Sequence, residues 1–189
     1  MQQVGLSGHT QPGSLLIPQK STVLASLSIE EIADLERVLA ENALPASSRI
    51  NQLRLRNQLI AEEISNGHAF DKHIIAQSEF PGLIQTRAQF KQHIENILND
   101  QPVKLYQQTC MHEILNINSV TGKTTKEIKS ITYYVDDIEK PTTWLKTSGE
   151  KKFIYKELSQ TLVIYNPNAC DGGTAYQPRT GIQEFFKQD

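Results

Sequence analysis

The chain has 189 residues, a hydrophobic content of 38% and a formal net charge of −2. This length suits one ordinary domain with a smaller appendage. The near-neutral charge argues against non-specific nucleic-acid binding, which depends on neutralising many phosphates. No apolar run of about eighteen residues or more is present, so we expect no membrane-spanning helix and no membrane insertion. Cys110 and Cys170 show no metal-binding spacing and are expected to be reduced, and we predict no metal site and no cofactor.

The first predicted segment is a lead-in. Residues 1–27 are rich in Gly, Ser, Gln, Thr and Pro, which favours flexible or extended backbone. They lack the basic start and the continuous apolar core of a signal peptide, so a secretion signal would lie elsewhere, on a larger parent protein. Residues 28–31 (SIEE) form a capping-box pattern. This pattern predicts a helix that ends near Asn42, before Pro45.

Three further helices are predicted from apolar residues at helical spacing. The second covers about residues 50–65 and ends at Asn66-Gly67, because these residue types tolerate left-handed backbone. The third is short and covers about residues 68–77. The fourth follows Thr86 as its N-cap. Its predicted buried stripe consists of Phe90, Ile94, Ile97 and Leu98.

After Pro102 the sequence becomes rich in β-branched and aromatic residues. Segments 126–138, 150–158 and 160–167 are predicted to be strands, with at least three strands in an antiparallel sheet. The tail, 181–189, is predicted as a short strand or a helical turn. Helices followed by strands predict an α+β fold, in which N-terminal helices pack on a small antiparallel β-sheet.

The segment GHAFDKH, residues 67–73, holds two of the five histidines of the chain. On an α-helix, His68 and Lys72 are neighbours, about 40° apart around the axis. Phe70 and Ile74 lie together on another side and are expected to face the core. His73 lies between the two faces.

Three interpretations of this segment remain open. A histidine and a lysine side by side suit metal-free RNA cleavage, because histidine can move a proton near neutral pH and lysine can stabilise a pentacoordinate phosphate. Metal binding by His68 and His73 is the second, although a spacing of five differs from the i, i+4 pair of helical zinc sites. A solvated helix face with no chemical role is the third.

Other polar groups suggest a phosphate site. Residues 166–174 (NPNACDGGT) place Asp171 and Thr174 around paired glycines, which free backbone amides for a phosphate or simply form a turn. Arg87 opens the fourth predicted helix, where it would serve a phosphate or the packing of a loop. The stretch 140–156 contains five lysines, and it is either a solvated face or a phosphate-binding one.

Three segments in this order carry a family resemblance: GHAFDKHII, SEFPGLIQTRAQFKQHIENILND and TLVIYNPNACDGGTAYQP. They resemble the C-terminal ribonuclease toxin domains of contact-dependent growth inhibition proteins and related bacterial polymorphic toxins, which have a barnase/EndoU/colicin/RelE-like fold. The resemblance covers about residues 50–189. It implies a lead-in and helical linker region at 1–66 and a toxin domain at 67–189. The interval of about 107–149 is longer than usual and is expected to be an insertion or extra strands.

The resemblance also implies a function. We expect a metal-independent endoribonuclease that cleaves RNA, most commonly tRNA, to a 2′,3′-cyclic phosphate and a 5′-hydroxyl. Such a toxin leaves the producing cell as part of a larger cell-surface or secreted exoprotein and acts in the cytoplasm of the target bacterium. A cognate immunity protein would block it, and a host factor that activates it remains open.

The site residues follow from matching positions. Five residues are expected to be catalytic: His68, Lys72, His73, Asp171 and Thr174. Four are expected to bind substrate: Arg87, Lys151, Lys152 and Tyr176, the last in a place where phenylalanine is more usual. Two alternatives stay open, a toxin that cuts DNA and a non-catalytic interaction module.

Overall fold

The computed structural model describes residues 46–100 and 102–189, and the predicted lead-in and first helix lie outside these ranges. The described ranges contain four helical segments: α1 (Ala46–Asn66), a π-helix (Phe70–Ala76), α2 (Arg87–Asn99) and α3 (Ile182–Lys187). The same ranges contain six strands: β1 (Tyr106–Ile117), β2 (Thr124–Val135), β3 (Thr143–Ser148), β4 (Lys151–Lys156), β5 (Thr161–Tyr165) and β6 (Gly173–Tyr176). The predicted α+β class, with helices and an antiparallel sheet, is confirmed.

Two of the predicted helices are found nearly as expected. Helix α1 begins at Ala46 rather than at 50, and α2 begins directly after Thr86. The Thr86 hydroxyl accepts from the Gln89 amide at 3.2 Å, and the Gln89 side chain accepts from the Thr86 amide at 3.1 Å, which completes a capping box. The predicted apolar stripe of α2 is buried. Within residues 46–100 and 102–189, no helix has the length and apolarity needed to cross a membrane.

The third predicted helix has different hydrogen bonding from the prediction. Residues Phe70–Ala76 form a π-helix, in which an amide bonds to the carbonyl five residues earlier. The Gln77 amide, for example, donates to the Lys72 carbonyl at 3.1 Å. Hydrophobic spacing alone gave no sign of this wider turn, because Phe70 and Ile74 are both buried, as an α-helix would also require.

The sheet is a simple antiparallel meander with the strand order β1-β2-β3-β4-β5-β6. The three predicted strand segments correspond to β2, β4 and β5, while β1, β3 and β6 are additional. Strands β2 and β3, and all of β1 except Tyr106, fall in the 107–149 interval. The predicted tail element is the short helix α3.

A long two-stranded ribbon extends from one side of the sheet. Strands β1 and β2 pair over twelve residue pairs, but only Tyr134 and Val135 of β2 pair with β3. On one face of the ribbon the apolar side chains are exposed: Met111, Leu115, Ile117 and Ile128. Most of the ribbon therefore lies beyond the compact part of the sheet.

Each face of the sheet supports a separate hydrophobic core. On one face α1, the π-helix and α2 pack against inward side chains of the strands, which include Leu145, Ile154, Val163 and Ala175. On the other face α3 contributes Phe185 and Phe186, and the strand partners include Tyr133, Phe153 and Leu162. Ile60, Ala61 and Ile64 of α1 belong to the first core, so this part of the leading region packs together with residues 67–189.

The helical core depends on Phe90, whose side chain is fully buried and lies against Phe70 and Phe80. We expect Phe90→Ala to lower the free energy of unfolding by about 3–5 kcal/mol, because it removes buried apolar surface and leaves a cavity. Urea denaturation followed by circular dichroism measures this. The exposed Leu83 serves as the control, because Leu83→Ala should change stability by no more than about 0.5 kcal/mol. Equal losses in the two variants would contradict the packing described here.

Candidate functional site

A cleft of about 450 Å³ lies beside edge strand β6, on the sheet face that α3 covers. Five of the predicted site residues line it: His68, Lys72, His73, Thr174 and Tyr176. They come from segments about a hundred residues apart in the chain, because the π-helix and β6 meet at the edge of the sheet. The fold therefore brings the GHAFDKH segment and the DGGTAY segment, which are far apart in the sequence, to one cleft.

The π-helix presents its polar groups to this cleft. His68 and Lys72 are exposed, as predicted, while Phe70 and Ile74 anchor the opposite side of the segment in the core. His68 lies two residues before the π-helix and His73 lies within it. Both histidines line the cleft.

His68 is held by Asp171, which lies 103 positions away in the turn between β5 and β6. Its ring Nδ1 is hydrogen-bonded to Asp171 Oδ2, and its backbone amide donates to the same oxygen at 3.3 Å. A carboxylate at Nδ1 favours the tautomer in which Nδ1 carries the proton, so that Nε2 is free to accept one. The His68 side chain is 57% exposed, so this nitrogen can meet a ligand in the cleft.

Two glycines permit the close approach of these segments. A Cβ on Gly67 would lie 2.5 Å from the Cβ of Asp171, so a side chain at 67 would push the His68 segment away from the β5–β6 turn. Gly173 has a φ of +127°, and a Cβ there would overlap the Ile164 carbonyl oxygen. The paired glycines of the DGGT motif therefore serve the backbone geometry of the turn that carries Asp171.

The charge on Asp171 is stabilised by these contacts. Burial alone would raise the pKa of its carboxyl, but the hydrogen bonds from the His68 ring and amide lower it, with further help from the Gly173 amide, and the net pKa is lowered. Glu63 of α1 lies close by, and burial together with the charge of Asp171 raises the pKa of Glu63. Asp171 is therefore the carboxylate that stays ionised to the lower pH, in keeping with its place beside a histidine.

The Thr174 hydroxyl has no hydrogen-bond partner. Its Oγ1 is buried, and within the described part of the chain it is the only buried side-chain polar atom that lacks one. Leaving a buried hydroxyl unpaired costs about 1–3 kcal/mol, so such groups are rare in native proteins. Thr174 also lines the cleft, so a ligand there would lie beside the residue that carries this unpaired hydroxyl.

His73 is packed far more tightly than His68. It is 5% exposed, stacks on Tyr176 with ring centroids 4.8 Å apart, and bonds through Nδ1 to Gln77 at 2.9 Å and to Glu79 at 3.1 Å. Glu79 also accepts from the Gln177 amide at 2.7 Å. His73 thereby joins the π-helix to the end of β6 and supports one wall of the cleft.

Arg87 does not line the cleft. Its guanidinium donates to the Ser65 carbonyl at 2.7 Å and to Asp71 at 2.8 Å, and it lies 4.6 Å above the Phe70 ring. These contacts satisfy backbone carbonyls at the end of α1 and hold the following segment in place. They correspond to the packing role that the sequence left open for Arg87.

Lys151 and Lys152 also lie outside the cleft, on opposite sides of β4. Lys152 is on the helix-facing side, where burial and the charge of Arg56 lower its pKa. Lys151 is on the same side as Thr174, and its Nζ donates to the Asp189 carbonyl at 3.0 Å. One cation that was not predicted from the sequence does line the cleft: Arg179, which follows the DGGTAYQP segment directly.

Across residues 46–100 and 102–189, no group of three or more His, Cys, Asp or Glu side chains is arranged to hold a metal ion. A second cleft of about 410 Å³ lies between α2 and the β4–β5 turn, and none of the nine predicted site residues lines it. The first cleft is therefore the candidate site.

The hydrogen-bonded pair of His68 and Asp171 should make the free energy of unfolding depend on pH. A carboxyl whose folded pKa is lowered adds stability above its unfolded pKa of about 3.8, and this contribution disappears as the pH falls through the lower folded value. We expect Asp171→Asn to lower the free energy of unfolding at pH 7 by about 1 kcal/mol, since the partner is largely exposed. The difference from wild type should shrink as the pH falls below 3.8.

Urea denaturation across this pH range measures the difference. Glu157→Gln is the matched control, because it removes an exposed carboxylate from the β4–β5 turn. A difference between wild type and Asp171→Asn that stays constant with pH would show that the Asp171 charge does not stabilise the fold.

Comparison with known protein families, with curated proteins and with solved structures finds no match to this chain. The side chains that line the cleft are therefore the basis for a function.

Proposed function

We propose that this protein is a metal-independent endoribonuclease, of the kind delivered as a C-terminal toxin domain in contact-dependent growth inhibition. The observation that carries the proposal is the meeting of His68, Lys72 and Thr174 in one cleft, with Asp171 bonded to the far side of the histidine ring. This set supplies a proton acceptor, a cation and a hydroxyl donor around one volume. Cleavage of RNA through its own 2′-hydroxyl needs these three groups and no external nucleophile.

His68 is the group we assign to proton transfer. Its Nε2 accepts the proton of a ribose 2′-hydroxyl, and the 2′-oxygen attacks the adjacent phosphorus. The new bond joins the 2′-oxygen to phosphorus, the bond from phosphorus to the 5′-oxygen breaks, and the leaving 5′-oxygen takes up a proton from water. The products are a 2′,3′-cyclic phosphate and a 5′-hydroxyl. Asp171 orients the imidazole and stabilises its protonated form.

Lys72 and Thr174 are assigned to charge stabilisation. The additional negative charge of the pentacoordinate phosphorane is stabilised by a nearby ammonium group and by hydroxyl donors. Lys72 is exposed at the cleft wall, and the unpaired Thr174 hydroxyl gains a partner when a phosphate oxygen enters. Arg179 adds a second cation at the mouth of the cleft.

His73 and Tyr176 are assigned to positioning. Their stacked rings are bonded to Glu79 and to Glu184 respectively, and the contact between Tyr176 and Glu184 measures 3.3 Å. Burial and the charge of Glu184 raise the pKa of Tyr176 well above its usual range, so its hydroxyl stays protonated. These residues fix the wall against which His68 and Lys72 are placed.

The biological setting of the proposal rests on the motif resemblance. The toxin would be carried by a larger exoprotein, enter the cytoplasm of a neighbouring bacterium and cut tRNA there. A cognate immunity protein would protect the producing cell by covering the cleft. Expression of the chain in bacteria with and without a co-expressed neighbouring gene product would test for such protection.

The decisive experiment is cleavage of total bacterial tRNA in EDTA, analysed on a denaturing gel. We expect discrete fragments from the wild type. His68→Ala and Lys72→Ala should each lower the rate by at least about a hundredfold, because they remove the proton acceptor and the cation. The control is His93→Gln, since His93 lies in the second cleft and glutamine can keep its 2.9 Å bond to Thr161.

Three outcomes would contradict the proposal or one of its assigned roles. Intact tRNA in every lane, also after addition of a cell lysate as a source of an activating factor, would remove the ribonuclease activity. Cleavage of DNA that requires magnesium would replace it with a different nuclease class, because DNA has no 2′-hydroxyl to act as nucleophile. Cleavage by His68→Ala at the wild-type rate would remove that residue from the mechanism.

Thr174 allows stability and activity to be separated. Thr174→Val keeps the branched shape in a strand but removes the unpaired hydroxyl. We expect the free energy of unfolding to stay the same or to rise, because the unsatisfied group is gone. We expect kcat for RNA cleavage to fall about tenfold or more, since a donor to the transition state is lost. A parallel loss of both stability and activity would show that the hydroxyl has a structural role instead.

A further inference from the structure

Three lysines from neighbouring strands lie on the same face of the sheet as Thr174. Lys129 of β2 is half-buried, Lys146 of β3 is 7% exposed, and Lys151 begins β4. We name this set the lysine cluster. It lies outside the cleft and has no part in the proton transfer assigned above.

A row of paired residues connects the cluster to the cleft. Thr174 pairs with Ile164, Ile164 with Phe153, and Phe153 with Lys146. Adjacent strands are about 4.8 Å apart, so three steps across the sheet place the Lys146 backbone about 14 Å from that of Thr174. Gln188 contacts both the cleft and the lysine cluster, because it lines the cleft and its carbonyl accepts a hydrogen bond from Lys146 Nζ.

The ammonium group of Lys146 is unusually placed for a lysine. It lies 5.0 Å from the centre of the Phe153 ring and 5.1 Å from that of Phe185. Burial lowers the pKa of Lys146, the charge of Asp189 raises it and the charge of Lys129 lowers it, and the net pKa is about 8. Lys146 is a buried cation whose hydrogen-bond acceptor is a neutral carbonyl, and another lysine lies beside it. Binding of an additional anion next to these lysines would therefore be favourable.

The segment that follows α3 already places oxygen atoms on this cluster. Asp189 Oδ2 lies 3.0 Å from Lys129 Nζ, and the Asp189 carbonyl oxygen lies 3.0 Å from Lys151 Nζ. Glu127 is the other carboxylate that acts on Lys129. The Asp189 side chain is 75% exposed, so a stronger anion can replace it with little loss of buried contact.

We infer that the lysine cluster is a second phosphate-binding site of the protein, which holds a backbone phosphate of single-stranded RNA several steps from the phosphate that is cut. Asp189 occupies the position of that phosphate in the unbound protein. The inference rests on the proposed ribonuclease function and adds to it the requirement for a substrate with several phosphates. It also explains how a chain of net charge −2 can hold RNA, since the cations are gathered along one face.

The test compares two substrates that differ in their number of phosphates. A dinucleoside monophosphate has only the phosphate that is cut, whereas a single-stranded oligoribonucleotide also reaches the cluster. For the double variant Lys129→Gln/Lys151→Gln we expect wild-type cleavage of the dinucleoside monophosphate and a higher KM for the oligoribonucleotide. Lys126→Gln is the matched control, because Lys126 is on β2 as well but on the opposite face of the ribbon, paired with Glu113 at 3.1 Å.

The salt dependence of binding counts the phosphates that the cluster neutralises. Binding of the oligoribonucleotide to the cleavage-deficient His68→Ala protein should weaken linearly with salt on logarithmic axes. Adding Lys129→Gln/Lys151→Gln should reduce the slope by about 1.4, which is about 0.7 for each lost contact with a single strand. Asp189→Asn should strengthen binding, because it removes the competing carboxylate.

The possible outcomes distinguish a failure of the lysine cluster as a phosphate site from a failure of the proposed ribonuclease function. An unchanged slope and an unchanged KM for the oligoribonucleotide in the double lysine variant, with active wild type, would overturn the lysine cluster as a phosphate site. Failure of the wild type to cleave either substrate would overturn the proposed function, and the inference with it. Equal losses on both substrates would assign the lysines to the fold of the cleft rather than to a second phosphate.

Discussion

The hydrogen-bonded pair of His68 and Asp171 is the contact on which the site depends. It joins the end of the helical half to the last turn of the sheet, and every group in the cleft takes its place relative to that junction. Gly67 gives the room for it, and Glu63 packs directly against Gly172 on the other side of the same turn. A single charged hydrogen bond is modest in energy, about 1.5–3 kcal/mol at most. Its importance is geometric, because it fixes both the ring plane and the tautomer of the histidine.

Much of the helical half could be predicted from sequence, because its signals are local. Thr86 and Gln89 form a capping box, and Phe90 and Ile94 recur at helical spacing, so the start and the buried face of α2 follow from short-range chemistry. The π-helix could not be predicted in this way. Its apolar residues Phe70 and Ile74 fit an α-helical turn equally well, and its contact with β6, where His73 stacks on Tyr176, joins residues that are distant in the sequence.

Only part of the sheet could be predicted from local sequence. Strands β4 and β5 are buried on both faces and read as short apolar runs. Strand β1 was missed because it alternates only between exposed and half-buried positions over most of its length, so it lacks a strong apolar face. Strand β6 has four residues and begins with glycine, and its place in the sheet comes from pairing with β5 rather than from its own composition.

The site was partly predictable for the same reason. His68, Lys72 and Thr174 belong to short motifs with recognisable chemistry, and the fold brings them to one cleft. Arg179 belongs to no such motif, and its position depends on how the loop after β6 returns to the cleft. Lys146 belongs to the lysine-rich stretch 140–156, but its burial depends on which face of β3 points toward α3. Arg87 shows the reverse case, in which a residue that suggests phosphate binding satisfies the carbonyls at the end of α1.

The meander order of the sheet has a consequence for folding. Each strand pairs with its neighbours in sequence, so the sheet can form through contacts of low sequence separation, which favours fast folding. The cleft is different, because its two halves meet only when a loop of about a hundred residues closes, as the separations of 103 for His68 and Asp171 and 97 for Phe80 and Gln177 show. Loop closure of this length carries an entropic cost that local pairing does not. The arrangement of side chains in the cleft therefore forms only with the complete fold, and a partly folded chain would not contain it.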